Sequence, residues 1–141
     1  MSAVEEQVGT RQTGFPFDTI LNMEITKEAH PLNAFINSGA ILISSLIEEQ
    51  DGLSPFDPIL EFSRKICNDP DITLNEEIYQ SELRTGDINR SLAYYLKAKE
   101  VLTNDVTLSL GTYFKQCLLM VTCPSVLIVF VRVNSRAWRP P

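Results

Sequence analysis

Asn33-Ala34-Phe35-Ile36-Asn37-Ser38-Gly39-Ala40-Ile41 runs directly into Leu42-Ile43-Ser44-Ser45-Leu46-Ile47, and this stretch decides the architecture. It is the first dense apolar run of the chain. The residues before it are punctuated by Gly9, Gly14, Pro16 and Pro31 and carry little helical signal. Apolar side chains occupy more than one stripe, which predicts a helix over 37–50 buried on most sides. Asp51-Gly52 closes it. Upstream, Ile20–Ile25 reads as a short strand or extended segment.

Downstream, the helical signals repeat. Ser54-Pro55-Phe56-Asp57 has the form of a helix start: a capping serine, proline at the first helical position, and an acid three residues after the cap. Phe56, Ile59, Leu60, Ser63 and Ile66 follow at helical spacing, ending near Cys67. A further helix is predicted over 75–83, interrupted at Thr85-Gly86. Asp87 is read as the cap of the next, with Ile88, Leu92, Tyr95, Leu96 and Lys99 on one face. Asn104 or Asp105 caps the last, with Val106, Leu110, Phe114, Cys117 and Leu118 as its apolar stripe. Arg84 and Asp87 are expected to form a local ion pair. The expectation is a mostly helical unit with short connections.

The 141 residues are 44% hydrophobic and 21% charged, with eighteen acids against twelve bases and a net charge of −6. This composition excludes a wholly disordered or collagen-like chain. The acidic balance argues against nucleic acid as a partner. No apolar run reaches the roughly 18–20 residues that span a bilayer, so no membrane association is expected. The N-terminus shows no secretory pattern, which with the odd count of cysteines (Cys67, Cys117 and Cys123) suggests reduced thiols and a cytoplasmic location. Cys117 and Cys123 read as packing thiols. His30, the single histidine, has no Cys or His at metal-ligand spacing and reads as a loop residue, so no metal is expected.

The chain contains no Ser-x-x-Lys; the nearest arrangement is Thr112-Tyr113-Phe114-Lys115. It also contains no Gly-x-Ser-x-Gly and no phosphate-binding glycine loop. Four other segments are more telling. They are Val8-Gly9-Thr10-Arg11-Gln12-Thr13-Gly14-Phe15-Pro16-Phe17-Asp18, the Asn33–Ile41 run, Tyr79-Gln80-Ser81-Glu82-Leu83-Arg84-Thr85-Gly86-Asp87-Ile88-Asn89, and Tyr113-Phe114-Lys115-Gln116-Cys117 with Val121-Thr122-Cys123. In this order they resemble the serine-dependent glutaminases, whose fold is that of the β-lactamases and penicillin-binding proteins. The resemblance covers about residues 8–123. It departs at Ala34, where the family run has proline, and at Ser38, where it has alanine.

The resemblance implies the helical portion of an α+β, β-lactamase-like fold, with most of the sheet missing. It implies hydrolysis of L-glutamine to L-glutamate and ammonia through a serine acyl-enzyme, without a cofactor. It further suggests a homo-oligomer. By the same resemblance, Asn37 binds substrate, Glu82 pairs with the α-ammonium, Asn89 bonds the α-carboxylate, and Tyr113 lines the pocket. Each residue also has an ordinary explanation: a helix cap, a solvated carboxylate, a first-turn asparagine and a half-buried tyrosine, respectively.

No catalytic residue is assigned, because the family's nucleophile and its lysine precede the Val8-Gly9 segment and a catalytic tyrosine follows the matched region. The 141 residues are therefore expected to be inactive alone. Residues 1–123 read as a partial glutaminase-like domain. Residues 124–141, with Arg132, Arg136 and Arg139 and no acid, read as a divergent tail outside the family's reading frame, in which Val126–Val133 is strand-like. The alternative is a non-catalytic helical interaction module that assembles with full-length subunits.

Overall fold

The computed structural model describes residues 7–24, 30–47 and 54–120. In chain order these form α1 (Leu21–Glu24), α2 (Asn37–Ser45), α3 (Phe56–Cys67), β1 (Thr73–Leu74), α4 (Glu76–Thr85), α5 (Asp87–Ala98), α6 (Val106–Cys117) and β2 (Leu119–Met120). The mostly helical architecture expected from the sequence is what is observed.

Side chains fix the starts of three of the helices. Ahead of α3, whose N-cap position is Pro55, Ser54 Oγ accepts from the Phe56 amide at 3.2 Å while the Asp57 carboxylate accepts from the Ser54 amide at 3.0 Å, and the two bonds brace the turn into the helix. Asn75 caps α4 by accepting from the Ile78 amide at 3.1 Å. Asp105, rather than Asn104, caps α6 by accepting from the Leu108 amide at 2.8 Å. Asn104 instead donates its side-chain amide to the Ser45 carbonyl at the end of α2. Helix α3 ends on Asn68, whose φ of 53° is the left-handed conformation that asparagine tolerates at a helix end.

Helix α6 is the hub: it packs against α2, α3, α4 and α5, and α2 also lies on α5. Ile41 and Leu42 of α2, Leu92 and Leu96 of α5, and Phe114 of α6 are at most 2% exposed and form one cluster. Burying each such side chain contributes about 1.5–3 kcal/mol. Gly39 makes the approach to α2 possible. A Cβ there would lie 1.9 Å from the Asn33 carbonyl oxygen, so any larger residue would drive the preceding turn off the helix.

Several expectations are corrected. Leu21–Glu24 is a helical turn, not a strand. Asn22 and Met23 are adjacent and both buried, which strand alternation would not allow. Asn22 accepts from the Thr13 hydroxyl and donates to the Pro16 carbonyl at 2.8 Å, tying the loop around this turn. Helix α2 ends at Ser45 with Leu46 as its C-cap, short of residue 50; residues 48–53, including Asp51-Gly52, lie outside the described residues. Asp87 is the first residue of α5 and not its cap, which is Gly86. Asp87 pairs with Arg90 at 3.3 Å, one helical turn on, rather than with Arg84. Ala93 joins Leu92 and Leu96 in the core, whereas Ile88 is 58% exposed. Ile88 instead lines a groove of about 480 Å³ whose other bank includes Pro16, Thr19 and Ile20.

The β1–β2 ladder was not anticipated. It is antiparallel, pairs Thr73 with Met120 and Leu74 with Leu119, and is extended by the Asn75 amide donating to the Leu118 carbonyl at 3.2 Å. Two residues a side are too few to leave a period-two signature in sequence. Among the described residues, no helix is long and apolar enough to cross a membrane. Cys123, Val126–Val133 and the rest of 124–141 lie outside the described residues.

Candidate functional site

The turn into α2 is held by Asn33. Its Oδ1 accepts from the Phe35 amide at 2.8 Å and the Ile36 amide at 3.2 Å, and its Nδ2 donates to the Arg11 carbonyl at 2.8 Å. This relieves Asn37 of any capping duty. The cap position is Ile36, whose backbone is extended and whose side chain makes no cap bond. Asn37 is the first residue of α2, and its amide N–H donates to the Phe17 carbonyl at 2.9 Å. Its side chain turns across the structure: Asn37 Nδ2 donates to Asn89 Oδ1 at 2.8 Å. The ordinary explanation of Asn37 as a helix cap is thus not what the geometry shows. Asn33 is a functional position that motif resemblance does not single out; its signal in the sequence is an asparagine whose side chain can bond the backbone two residues on.

Asn89 lies in the first turn of α5 and is half-buried. Glu82, also half-buried, lies on α4. Gly86 controls the relation between them. Its amide donates to the Glu82 carbonyl at 2.8 Å, and a Cβ on it would fall 2.7 Å from both that oxygen and the Phe114 ring. Glycine lets the α4–α5 corner press onto α6, with Glu82 in the last turn of α4 before it and Asn89 in the first turn of α5 after it.

Tyr113 is 6% exposed and packs its ring against Phe114 with centroids 5.6 Å apart. Burial, reinforced by the neighbouring Cys117 and Glu82, pushes its phenol well above the ordinary tyrosine value. At neutral pH it is an uncharged hydroxyl able to donate or accept. Cys117, one turn along α6, was expected as a packing thiol but is exposed. Although much of the residue's surface meets solvent, protein atoms crowd the thiol and push its pKa up. Glu82 adds to that rise, and the hydrogen bond with Tyr113 opposes it.

The structure therefore joins Asn37 to Asn89 by a direct hydrogen bond and couples Glu82 to Tyr113 electrostatically. The set comprises two neutral amides, one carboxylate and one neutral hydroxyl. The amides donate and accept, the carboxylate accepts, and the phenol does either. Among the described residues, no group of three His, Cys, Asp or Glu could hold a metal ion. A separate cavity of about 280 Å³, lined by Ser44, Ser45, Asn104 and Ser109 among others, lies between α2 and α6 and contains none of the four predicted residues.

Comparison with known proteins bears on this geometry. The Glutaminase family model matches residues 1–140. Glutaminase 1 of Clostridium perfringens is 51% identical over 119 residues, which is 84% of this chain and 39% of the relative. The glutaminase of Clostridium tetani is 41% identical over 126 residues, 89% of this chain and 41% of the relative. The crystal structure of a probable glutaminase of Bacillus subtilis superposes with a TM-score of 0.82 at 30% identity, over 89% of this chain and 40% of that one. The chain thus spans about two fifths of the length of the proteins it matches, and the part it spans is the helical portion of their β-lactamase-like fold. With a family match along nearly its whole length and a shared fold, the chain belongs to the glutaminase family.

Proposed function

We propose that these 141 residues form the amino-acid-recognition part of a glutaminase site, which holds L-glutamine by its α-groups while the carboxamide is presented to a nucleophile outside them. The observation that carries this reading is the 2.8 Å bond between Asn37 and Asn89, which unites two motif residues 52 positions apart. In this reading Glu82 neutralises the α-ammonium. Asn89, oriented by Asn37, bonds the α-carboxylate. Tyr113 bonds the substrate as an uncharged hydroxyl.

Fixing both α-groups determines how far the side chain reaches, so only an amino acid of glutamine's length places its amide at the reacting centre. Hydrolysis then requires a serine and lysine in Ser-x-x-Lys spacing, which the sequence does not contain, so these residues release no ammonia by themselves. Homo-oligomeric assembly, which the family resemblance suggests, belongs to the same reading.

Titrating the isotopically labelled chain with glutamine tests it by NMR. The side-chain amides of Asn37 and Asn89 should shift in a saturable way with glutamine and glutamate but not with asparagine, with no ammonia released. Equal response to asparagine, absence of any shift, or hydrolysis at an enzymatic rate would each sink the proposal.

A further inference from the structure

Lys115 Nζ lies over two aromatic rings, 5.7 Å from the Phe56 centroid and 5.6 Å from that of Tyr79, where α3, α4 and α6 meet. Among the described residues no carboxylate pairs with it. Lys115 borders a cavity of about 370 Å³, lined also by Ser54, Tyr79, Thr107, Gly111 and Thr112. That volume falls within the roughly 300–1,000 Å³ of small-molecule sites. Gly111 and Lys115 each stand two residues from Tyr113, so both lie about 160° from it around α6. The cavity therefore opens on the side of α6 away from Tyr113, and none of Asn37, Glu82, Asn89 and Tyr113 lines it.

The walls hold hydrogen-bond donors in excess. Ser54 Oγ accepts from the Phe56 amide, which leaves its hydrogen to donate. The Thr112 hydroxyl makes no hydrogen bond among the described residues, although the residue is only 4% exposed. Burial, with Glu76 nearby, pushes the Tyr79 phenol up, so it remains a protonated donor.

Gly111 is an independent sign of a ligand. Inside a helix glycine is less stable than alanine, and packing does not require it here. Beyond its own helix, a Cβ would meet the Tyr79 hydroxyl alone, at an ordinary 3.9 Å. The room left by the missing methyl belongs to the cavity. Leu108, 48% exposed, continues this bare stretch as an apolar wall. Asp105, also on the cavity, caps α6 at a point about 15 Å along the axis from Lys115. One ammonium among neutral hydroxyls matches one negative charge, and the Asp105 carboxylate opposes a second.

We propose that this cavity binds a small organic monocarboxylate. Its carboxylate rests on Lys115 and the hydroxyls of Tyr79 and Thr112, and its apolar body lies along Gly111 and Leu108.

Titrating the isotopically labelled 141-residue chain with benzoate and with butyrate, at constant ionic strength, tests this by NMR. The backbone amides of Gly111, Thr112 and Lys115 should shift in a saturable way, and the side-chain amides of Asn37 and Asn89 should not. Phosphate and chloride should produce no saturable shift. Lys115→Met should weaken binding by about tenfold or more. Gly111→Ala should weaken it by about fivefold or more while the melting temperature stays equal or rises, because the methyl fills the cavity but favours the helix. The proposal is overturned if neither carboxylate gives a saturable shift at these amides, if phosphate or chloride binds as well, or if either folded variant binds like the parent. Should Lys115→Met fail to fold, Gly111→Ala decides alone.

Discussion

Asn37 Nδ2 donates to Asn89 Oδ1 at 2.8 Å, so the first residue of α2 and the first turn of α5 are joined through side chains rather than through backbone. A neutral hydrogen bond of this kind contributes about 0.5–1.5 kcal/mol net. A double-mutant cycle of Asn37→Ala and Asn89→Ala, read by chemical denaturation, should return a coupling energy in that range. Asn89→Asp separates structure from recognition. It keeps the acceptor for Asn37, so stability should stay within about 1 kcal/mol of the parent. On the proposed substrate-binding reading the added charge faces the substrate carboxylate, and glutamine should no longer shift the Asn37 amide. Stability loss with retained binding would contradict the assigned roles.

The extent to which this arrangement was legible in sequence differs by residue. Helix starts were readable where a side chain meets its own helix, at Ser54 with Asp57 and at Asp105, one of two candidate caps, whereas Asn75 was placed inside its helix and is instead its cap. Asp87 was misread because a carboxylate in the right place need not cap when a glycine already closes the corner. Ile88 was misread because helical periodicity places it on the stripe of Leu92 but cannot show where the neighbouring helix stops covering that stripe. The four site residues came from motif resemblance. Spacing alone could not show that Asn37 reaches Asn89, since a contact across 52 positions is made by the packing of α2 on α5.

The contrast between Asp105 and Asp87 is a quantitative check on the caps. Asp105→Ala removes the acceptor of the Leu108 amide and should cost about 1 kcal/mol of stability. Asp87→Ala removes an exposed carboxylate paired with Arg90 and should change stability by no more than about 0.5 kcal/mol. Equal losses, measured by urea denaturation, would place a cap where the structure has none.

Gly86→Ala should be markedly destabilising. The new methyl would lie 2.7 Å from the Glu82 carbonyl oxygen and from the Phe114 ring, so either the corner or the core must move. Overpacking of this kind costs about 1–3 kcal/mol. Because the same corner positions Glu82 and Asn89, glutamine binding should weaken even under conditions where the variant remains folded. Gly14→Ala is the control: its Cβ would meet nothing within 4 Å, and stability should be nearly unchanged.

The phenol of Tyr113 predicts an alkaline limit. Its pKa is raised in the folded chain, first by burial and then by Cys117 and Glu82, so the folded state holds this proton more tightly than the unfolded state. Stability from this group is complete below the ordinary tyrosine value of about 10 and declines as pH rises beyond it. Tyr113→Phe should remove that share of the decline between pH 10 and 11 in thermal melts. Cys117 responds to the same neighbours, and with opposite signs from two of them. Glu82 raises its pKa and the Tyr113 hydroxyl lowers it. In a Cys123→Ser background, Glu82→Gln should therefore speed alkylation of Cys117 at pH 8 and Tyr113→Phe should slow it, because the thiolate is the reacting form. Cys67 is 6% exposed and should stay unmodified in the folded protein. If the two substitutions changed the Cys117 rate in the same direction, the triad of Glu82, Tyr113 and Cys117 would not be the electrostatic unit described.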